Sequence, residues 1–392
     1  MKIACIVQRY GDEIVGGAEL HCRLVAERLA SLHSVEILTT CAVDYLTWEN
    51  VFPEGTVQIG PCTVRRFPVL RPRPSQFDDL AFRVLHSAST PALQMDYLDA
   101  HGPFAPALIE YLTDRPDIDA FVFFSYRYWI TCKGIERVGD RSILVPTAEH
   151  DRAIYLGVYH NVFKRASQIA FNSIEEKELI ERATRLTSLP GEVIGVGLPD
   201  VQPSESIRLD QRFDLDAPYI VFIGRIERAK GCAELLGQYL RYVDENVESP
   251  QLVLIGKQHI PIPDHSKVRY LGILPEDLKL TVLRNALFLI MPSRYESLSM
   301  VVLEAWRMKR PVMVNANCEV LRGQCLRSQG GLYYRNYDQF AEVLRVMCRN
   351  NVLLDVLGEN GFRYYERHYS WDVILSKYSN LLGRIGDRRG AV

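Results

Sequence analysis

Two short stretches of this 392-residue chain carry residue types at spacings that suit work on a diphosphate. Gly224-Arg225, then Lys230-Gly231, leaves an apolar strand pattern and leads into a helical one. An arginine fork and a lysine point charge beside a helix N-terminus would grip diphosphate oxygens. Read blandly, the same segment is a surface loop with ordinary basic residues. The second stretch runs from Glu296 to Glu304, after the run LFLIMPSR. Ser297 or Ser299 is placed to cap a helix that continues through Met308. The amides of Leu298, Ser299 and Met300 would then point outward as an anion site. At about 1.5 Å rise per helical residue, Glu296 before the helix and Glu304 inside it could reach opposite ends of a nucleotide diphosphate sugar. The plain alternative makes Glu296 a loop charge and Glu304 a satisfied helix residue.

Such loops need a scaffold. Continuous apolar runs, the mark of parallel strands buried on both faces, occur at 3–8, 35–40, 64–70, 119–124, 141–147, 168–173 and 192–197. Helical patterns lie between several of them, most clearly at 18–32, where Leu20, Leu24, Val25, Leu29 and Leu32 share a face. Residues 199–218 are polar and proline-bearing and read as a connection. The alternation restarts at 219–225 and continues at 251–256, 268–273, 287–292 and 311–315, becoming helix only from about 338. The expectation is an α/β chain of two Rossmann-like domains facing across a cleft, 1–199 and 200–369. A last helix, 370–392, would pack against a domain face through Trp371, Ile374, Tyr378 and Leu381. In open α/β sheets ligands bind beyond the carboxyl ends of the strands, so the loops that follow strands hold the candidates.

Bulk composition narrows the function. Lys+Arg 46 against Asp+Glu 48 leaves a formal net charge of −2 and no electrostatic reason to seek nucleic acid. A local cluster, Arg65, Arg66, Arg71 and Arg73, reads first as solvated surface and second as a face toward acceptor or membrane. Nine cysteines without a Cys-x-x-Cys pair fit a reducing compartment better than a disulfide or zinc framework. The N-terminus enters directly into a strand pattern, and no apolar run approaches the roughly 20 residues that span a bilayer. A cytoplasmic protein is expected, with peripheral membrane contact left open. Asp117-Ile118-Asp119 and Asp214-Leu215-Asp216 both precede strands, the wrong end for a ligand, and read as turns and caps. No essential metal and no cofactor is expected.

A Glu, seven residues and a second Glu, about 65 residues after Gly-Arg…Lys-Gly, resembles the retaining glycosyltransferases of family 4, which have the GT-B fold. Gly16-Gly17-Ala18-Glu19, Pro292-Ser293 before Glu296, and Trp371 near the C-terminal helix match as well. The resemblance implies that Glu304 holds the ribose hydroxyls and Glu296 contacts the donor sugar beside its reacting carbon. It implies that Arg225 and Lys230 stabilise the departing diphosphate. Leu298, Ser299 and Met300 would hold phosphate and sugar through their backbone. Gly17 and Gly224 would lie along the diphosphate, with Gly272 and Leu274 near the base. His150, in Val145-Pro-Thr-Ala-Glu-His150-Asp151, matches a His that touches the donor sugar. Tyr126 and Tyr128, at the end of the preceding strand, are the acceptor-stacking candidates, against a default reading as core aromatics. Ser297-Leu298-Ser299 departs from the Gly-Phe-Gly of many relatives.

The reaction so implied transfers a hexose, from UDP-glucose or a related UDP-hexose, to a hydroxyl of a saccharide or lipid-linked saccharide. Two other classes compete. A nicotinamide oxidoreductase should show Gly-x-Gly-x-x-Gly after a strand, and no such run occurs. A non-catalytic nucleotide-sugar binder would not need His150, Arg225, Lys230, Glu296 and Glu304 together.

Overall fold

In a computed structural model, residues 1–14, 16–207, 209–213, 215, 218–246 and 248–390 are described, and Asp214 and Asp216 lie outside them. The chain divides into two compact units, Met1–Gly197 together with Trp371–Val392, and Leu198–Ser370. The division falls two residues before the expected boundary at 199/200. The last helix belongs to the first unit.

Among the described residues, the first unit is built on an eight-stranded sheet of order β3-β4-β2-β1-β5-β6-β7-β8. Its strands are β1 (Lys2–Ile6), β2 (Ser34–Thr40), β3 (Gly55–Ile59), β4 (Cys62–Phe67), β5 (Ala120–Phe124), β6 (Ser142–Val145), β7 (Gln168–Phe171) and β8 (Gly191–Val193). All pair in parallel except β3, which runs antiparallel on β4 at the edge. The central run AFVFF of β5 is buried throughout, as a strand covered on both faces requires. The helix Gly17–Leu29 follows β1 and turns Leu24, Val25 and Leu29 to the core. The final helix, Trp371–Gly390, packs on β7 and β8. Ile374, Tyr378, Leu381 and Ile385 are fully buried, and Lys377 Nζ donates to the Val193 carbonyl at 3.0 Å.

The second unit holds a wholly parallel sheet of order β11-β10-β9-β12-β13-β14. Its strands are β9 (Tyr219–Ile223), β10 (Gln251–Ile255), β11 (Val268–Tyr270), β12 (Leu289–Met291), β13 (Val312–Asn315) and β14 (Gly331–Tyr334). From β9 the chain builds outward first through β10 and β11, then on the other side through β12, β13 and β14. The order therefore reverses between β9 and β12. At such a switch point the loops that leave adjacent strands diverge and open a crevice at the carboxyl edge.

Candidate functional site

The loops after β9 and β12 are the two motifs singled out above. Gly231 sits at φ 74, and a Cβ added there would lie 2.4 Å from the Pro292 carbonyl oxygen. A backbone approach this close needs glycine, and it brings the two loops against each other. Asn315, buried at the end of β13, donates from Nδ2 to the same Pro292 carbonyl at 3.0 Å. Across the crevice Lys230 Nζ meets Glu296 Oε1 at 2.7 Å, with both side chains largely covered. Arg225, one residue past Gly224, is half exposed and paired with Glu227 at 3.1 Å. Two cations thus stand at the switch point, each paired with a carboxylate, Lys230 largely covered and Arg225 half exposed.

The helix after β12 spans Met300–Arg307. Ser299 occupies its N-cap position, but the side chain makes no cap hydrogen bond. The expected serine cap is therefore corrected to an open helix start. The Val302 amide is used by the Ser299 carbonyl at 3.2 Å, so the outward first-turn amides belong to Met300 and Val301. Leu298 is buried and its carbonyl accepts from Gln324 Nε2 at 2.8 Å, which fixes the loop from behind. Ser299 itself lies at φ 70, ψ 88, a left-handed conformation that L side chains occupy at a cost of roughly 1–2 kcal/mol. A glycine there would avoid that cost. Ser299→Gly should raise resistance to urea unfolding by about 1 kcal/mol, allowing for the extra freedom glycine gives the unfolded chain. A decrease would mean that the Ser299 hydroxyl holds something the strain account omits.

Glu304 lies one turn into this helix and is 5 % exposed. Its Oε2 meets Lys279 Nζ at 2.9 Å, and the same ammonium meets Glu276 Oε1 at 2.7 Å. Burial pushes the Glu304 carboxyl above its ordinary range, against the pull of Lys279. Burial alone would lower Lys279, but Glu304 and Glu276 hold it above its usual value. Lys279 was not singled out in the sequence. It sits on the helix Glu276–Asn285, which opens just after Gly272 and Leu274, so both base-side candidates lie next to the element that holds Glu304. Gly272 is at φ 72 and its carbonyl accepts from the Gly256 amide at 2.8 Å. Leu274 is half-buried.

In the first unit the order reverses between β1 and β5, and the candidates there fare unequally. Gly17 opens the helix after β1, exposed, with nothing within 4 Å of where a Cβ would stand. Glu19 is turned inward and accepts from Arg9 Nε at 2.9 Å, tying that helix start to the chain leaving β1. His150 is exposed in the loop after β6, its Nε2 2.8 Å from the Tyr155 hydroxyl. Behind it, the Glu176 carboxylate accepts from the Ala148 amide at 2.6 Å, and burial pushes its carboxyl up to about 8. Glu176 too went unremarked in the sequence.

Tyr126 is a correction. It is fully buried, edge-on to Tyr159 at 5.0 Å and tilted on Phe163 at 5.3 Å, and offers no face to a sugar. Tyr128 is half-buried, stacked on His101 at 5.3 Å and edge-on to Trp48 at 5.7 Å. The arginine cluster, expected as solvated surface, is divided: Arg71 is exposed, Arg65 and Arg73 are half-buried and Arg66 is buried. Arg66, Arg71 and Arg73 lie over the rings of Phe52, Phe104 and Phe77 at 4.1, 3.5 and 4.4 Å, and Arg65 pairs with Glu36 at 3.3 Å. Asp117 pairs with Arg115 at 2.7 Å, and Asp119 accepts the Lys2 amide at 2.8 Å, at the amino edge of the sheet. Among the described residues no helix is long and apolar enough to cross a membrane.

Residues 217–350 match the family model described as Glycosyl transferases group 1. An uncharacterised glycosyltransferase of Methanocaldococcus jannaschii is 20% identical over 405 residues, covering 97% of both chains. Sucrose-phosphate synthase from Thermosynechococcus elongatus superposes with a TM-score of 0.73 at 16% identity, covering 99% of each chain. The Escherichia coli trehalose-6-phosphate protein bound with UDP-2-fluoro glucose gives 0.69 at 12%, covering 97% of this chain and 99% of that one. Anabaena HepE in complex with UDP and glucose gives 0.66 at 13%, covering all of both. The two-domain α/β fold with parallel sheets is shared with these GT-B proteins, and with the matched domain it supports a glycosyltransferase of the GT-B fold.

Proposed function

We propose that the chain is a retaining, family 4 glycosyltransferase that moves a hexose from UDP-glucose or a related UDP-hexose to a hydroxyl of a saccharide or lipid-linked saccharide. We place it in the cytoplasm, with peripheral membrane contact where the acceptor is lipid-linked. The observation that carries the reading is the Lys230–Glu296 pair at 2.7 Å across the switch-point crevice, with Arg225 beside it and an uncapped helix start facing the same edge. Fixed cations and amides of this kind stabilise a departing diphosphate without reorganising during the reaction. Two GT-B proteins similar to this chain are bound to UDP or a UDP-sugar analogue, which supports the donor class.

In this reading Arg225 and Lys230 take the diphosphate, Glu296 the donor sugar beside its reacting carbon, and Glu304 the ribose hydroxyls. Gly224, Gly272, Leu274, Leu298, Ser299 and Met300 line the donor. We assign His150 to the donor sugar and Gly17 to the diphosphate. The acceptor hydroxyl attacks on the side the diphosphate leaves, and the departing phosphate oxygen receives its proton.

A thermal-shift panel of nucleotides and nucleotide sugars tests the donor. At about 100 times its dissociation constant, the right donor adds roughly 2.7 kcal/mol of stability. Glu304→Ala should reduce the shift for donor and free nucleotide alike. A panel in which no nucleotide stabilises the protein would remove the reading.

The cations assigned to the leaving group are side chains, so transfer should survive excess EDTA, and attack from the side the diphosphate leaves should yield an α-linked product from an α-linked donor. Proton NMR of fresh product reads the anomeric coupling. Activity restored only by added Mn²⁺, or a clean β product, contradicts the proposal.

A further inference from the structure

We propose that Lys279 is a positioning residue for donor binding, which holds the Glu304 carboxylate in its ionised, acceptor-only form for the ribose hydroxyls of a nucleoside diphosphate. The inference rests on the donor reading above and adds a residue that no motif marks. An ionised carboxylate accepts through both oxygens, whereas the protonated acid must turn one of them into a donor. Two ribose hydroxyls presented to Glu304 as donors are best met by the ionised form. Burial works the other way, because desolvation favours the neutral acid.

Lys279 is placed to oppose that. Its ammonium touches Glu304 Oε2 at 2.9 Å and Glu276 Oε1 at 2.7 Å, so one oxygen of Glu304 is tethered and the other is left to a ligand. The groups acting on Glu304 are few. Lys279 and Glu276 face it from the helix Glu276–Asn285, and Arg307 from its own helix. Arg307 is turned toward the Pro199 and Val201 carbonyls, and Tyr365 acts on it from the helix Asn351–Tyr369. The strands β12 and β13 beneath, LIM and VMVN, contribute no titratable group. Lys279 is the cation in direct contact, and the helix that carries it begins at the base-side loop.

The test compares UDP with 2′-deoxy-UDP by calorimetry from pH 5.5 to 8, in the wild type, Lys279→Gln and Lys279→Arg. Both ligands carry the same diphosphate, so its titration cancels in the ratio of their affinities. In the wild type UDP should bind about tenfold or more tighter at neutral pH, the scale of one hydrogen bond to a charged group. That preference should fade only toward the acid end. Lys279→Gln should move its midpoint upward by about one pH unit or more, and Lys279→Arg should bring it back toward wild type. A Lys279→Gln profile superimposed on the wild type overturns the inference. So does a wild type whose preference is already lost at pH 7, and this outcome is read without any variant having to fold. No UDP binding in the wild type, by contrast, would count against the donor reading itself.

Discussion

Lys230→Ala and Arg225→Ala should each lower turnover by on the order of 10²–10³, the loss that follows removal of a donor aimed at charge developing in the transition state. The two should differ in everything else. Arg225 is half exposed and its partner Glu227 is a neighbour in the same loop, so its loss should leave stability within about 0.5 kcal/mol of wild type. Lys230 is three-quarters covered and spans the crevice to Glu296. Its removal leaves a largely buried carboxylate without its cation, which costs stability as well as rate. A second substitution, Glu296→Gln, added to Lys230→Ala should recover the stability and none of the turnover. Steady-state kinetics and urea unfolding on the four proteins separate these expectations. If Arg225→Ala and Lys230→Ala both turned over near normally, the leaving group would have to sit elsewhere.

What could be read from the sequence divides along physical lines. Strands buried on both faces announce themselves as apolar runs, and β1, β5, β9 and β10 lie where those runs are. β3 left no such run, because GTVQI lies on the sheet edge with its middle three residues exposed. β14 is only four residues with half its positions uncovered, too short a run to stand out between the strand pattern ending at 315 and the helical tail from about 338. The loop motifs were legible because local spacing fixes them: a strand end, a glycine, a charge, a helix start. Side-chain direction beyond a strand end is not fixed that way. Tyr126 and Tyr128 read alike as aromatics after β5, yet one is sealed under Tyr159 and Phe163 while the other keeps part of its surface. Lys279 was invisible for a related reason, since its partner is 25 residues away on another helix and only packing brings them together. Ser299 was legible as a departure from glycine, though its physical meaning, a left-handed backbone carried without glycine, needed the dihedral.

Gly256→Ala should destabilise the protein by about 3 kcal/mol or more and weaken UDP binding at least tenfold, although Gly256 carries no side chain to touch a ligand. The residue leaves β10 at φ 135, a region that L residues avoid, and a Cβ there would lie 2.0 Å from the Gly224 carbonyl oxygen. That contact is with backbone, so no rotamer can relieve it. On one side the Gly256 amide donates to the Gly272 carbonyl at 2.8 Å. On the other, the Gly224 amide donates to the Ile255 carbonyl at 2.9 Å. The three loops after β9, β10 and β11 are thus stitched edge to edge through Gly224, Gly256 and Gly272. Pushing Gly224 aside displaces Arg225, the next residue, from the crevice, and pulling on Gly272 disturbs the approach to Leu274 and Lys279. The loss of affinity would therefore come from misplacement of groups the substitution never touches. Gly237→Ala is the control, since a Cβ there meets nothing within 4 Å on the exposed side of the helix Cys232–Glu245, and its stability should stay level or rise by up to about 1 kcal/mol. Urea unfolding and UDP calorimetry on both variants give two independent readings. A Gly256→Ala protein as stable as the wild type would show that the loops are not held this closely. One that is destabilised yet binds UDP unchanged would move the donor away from the ends of β9, β10 and β11.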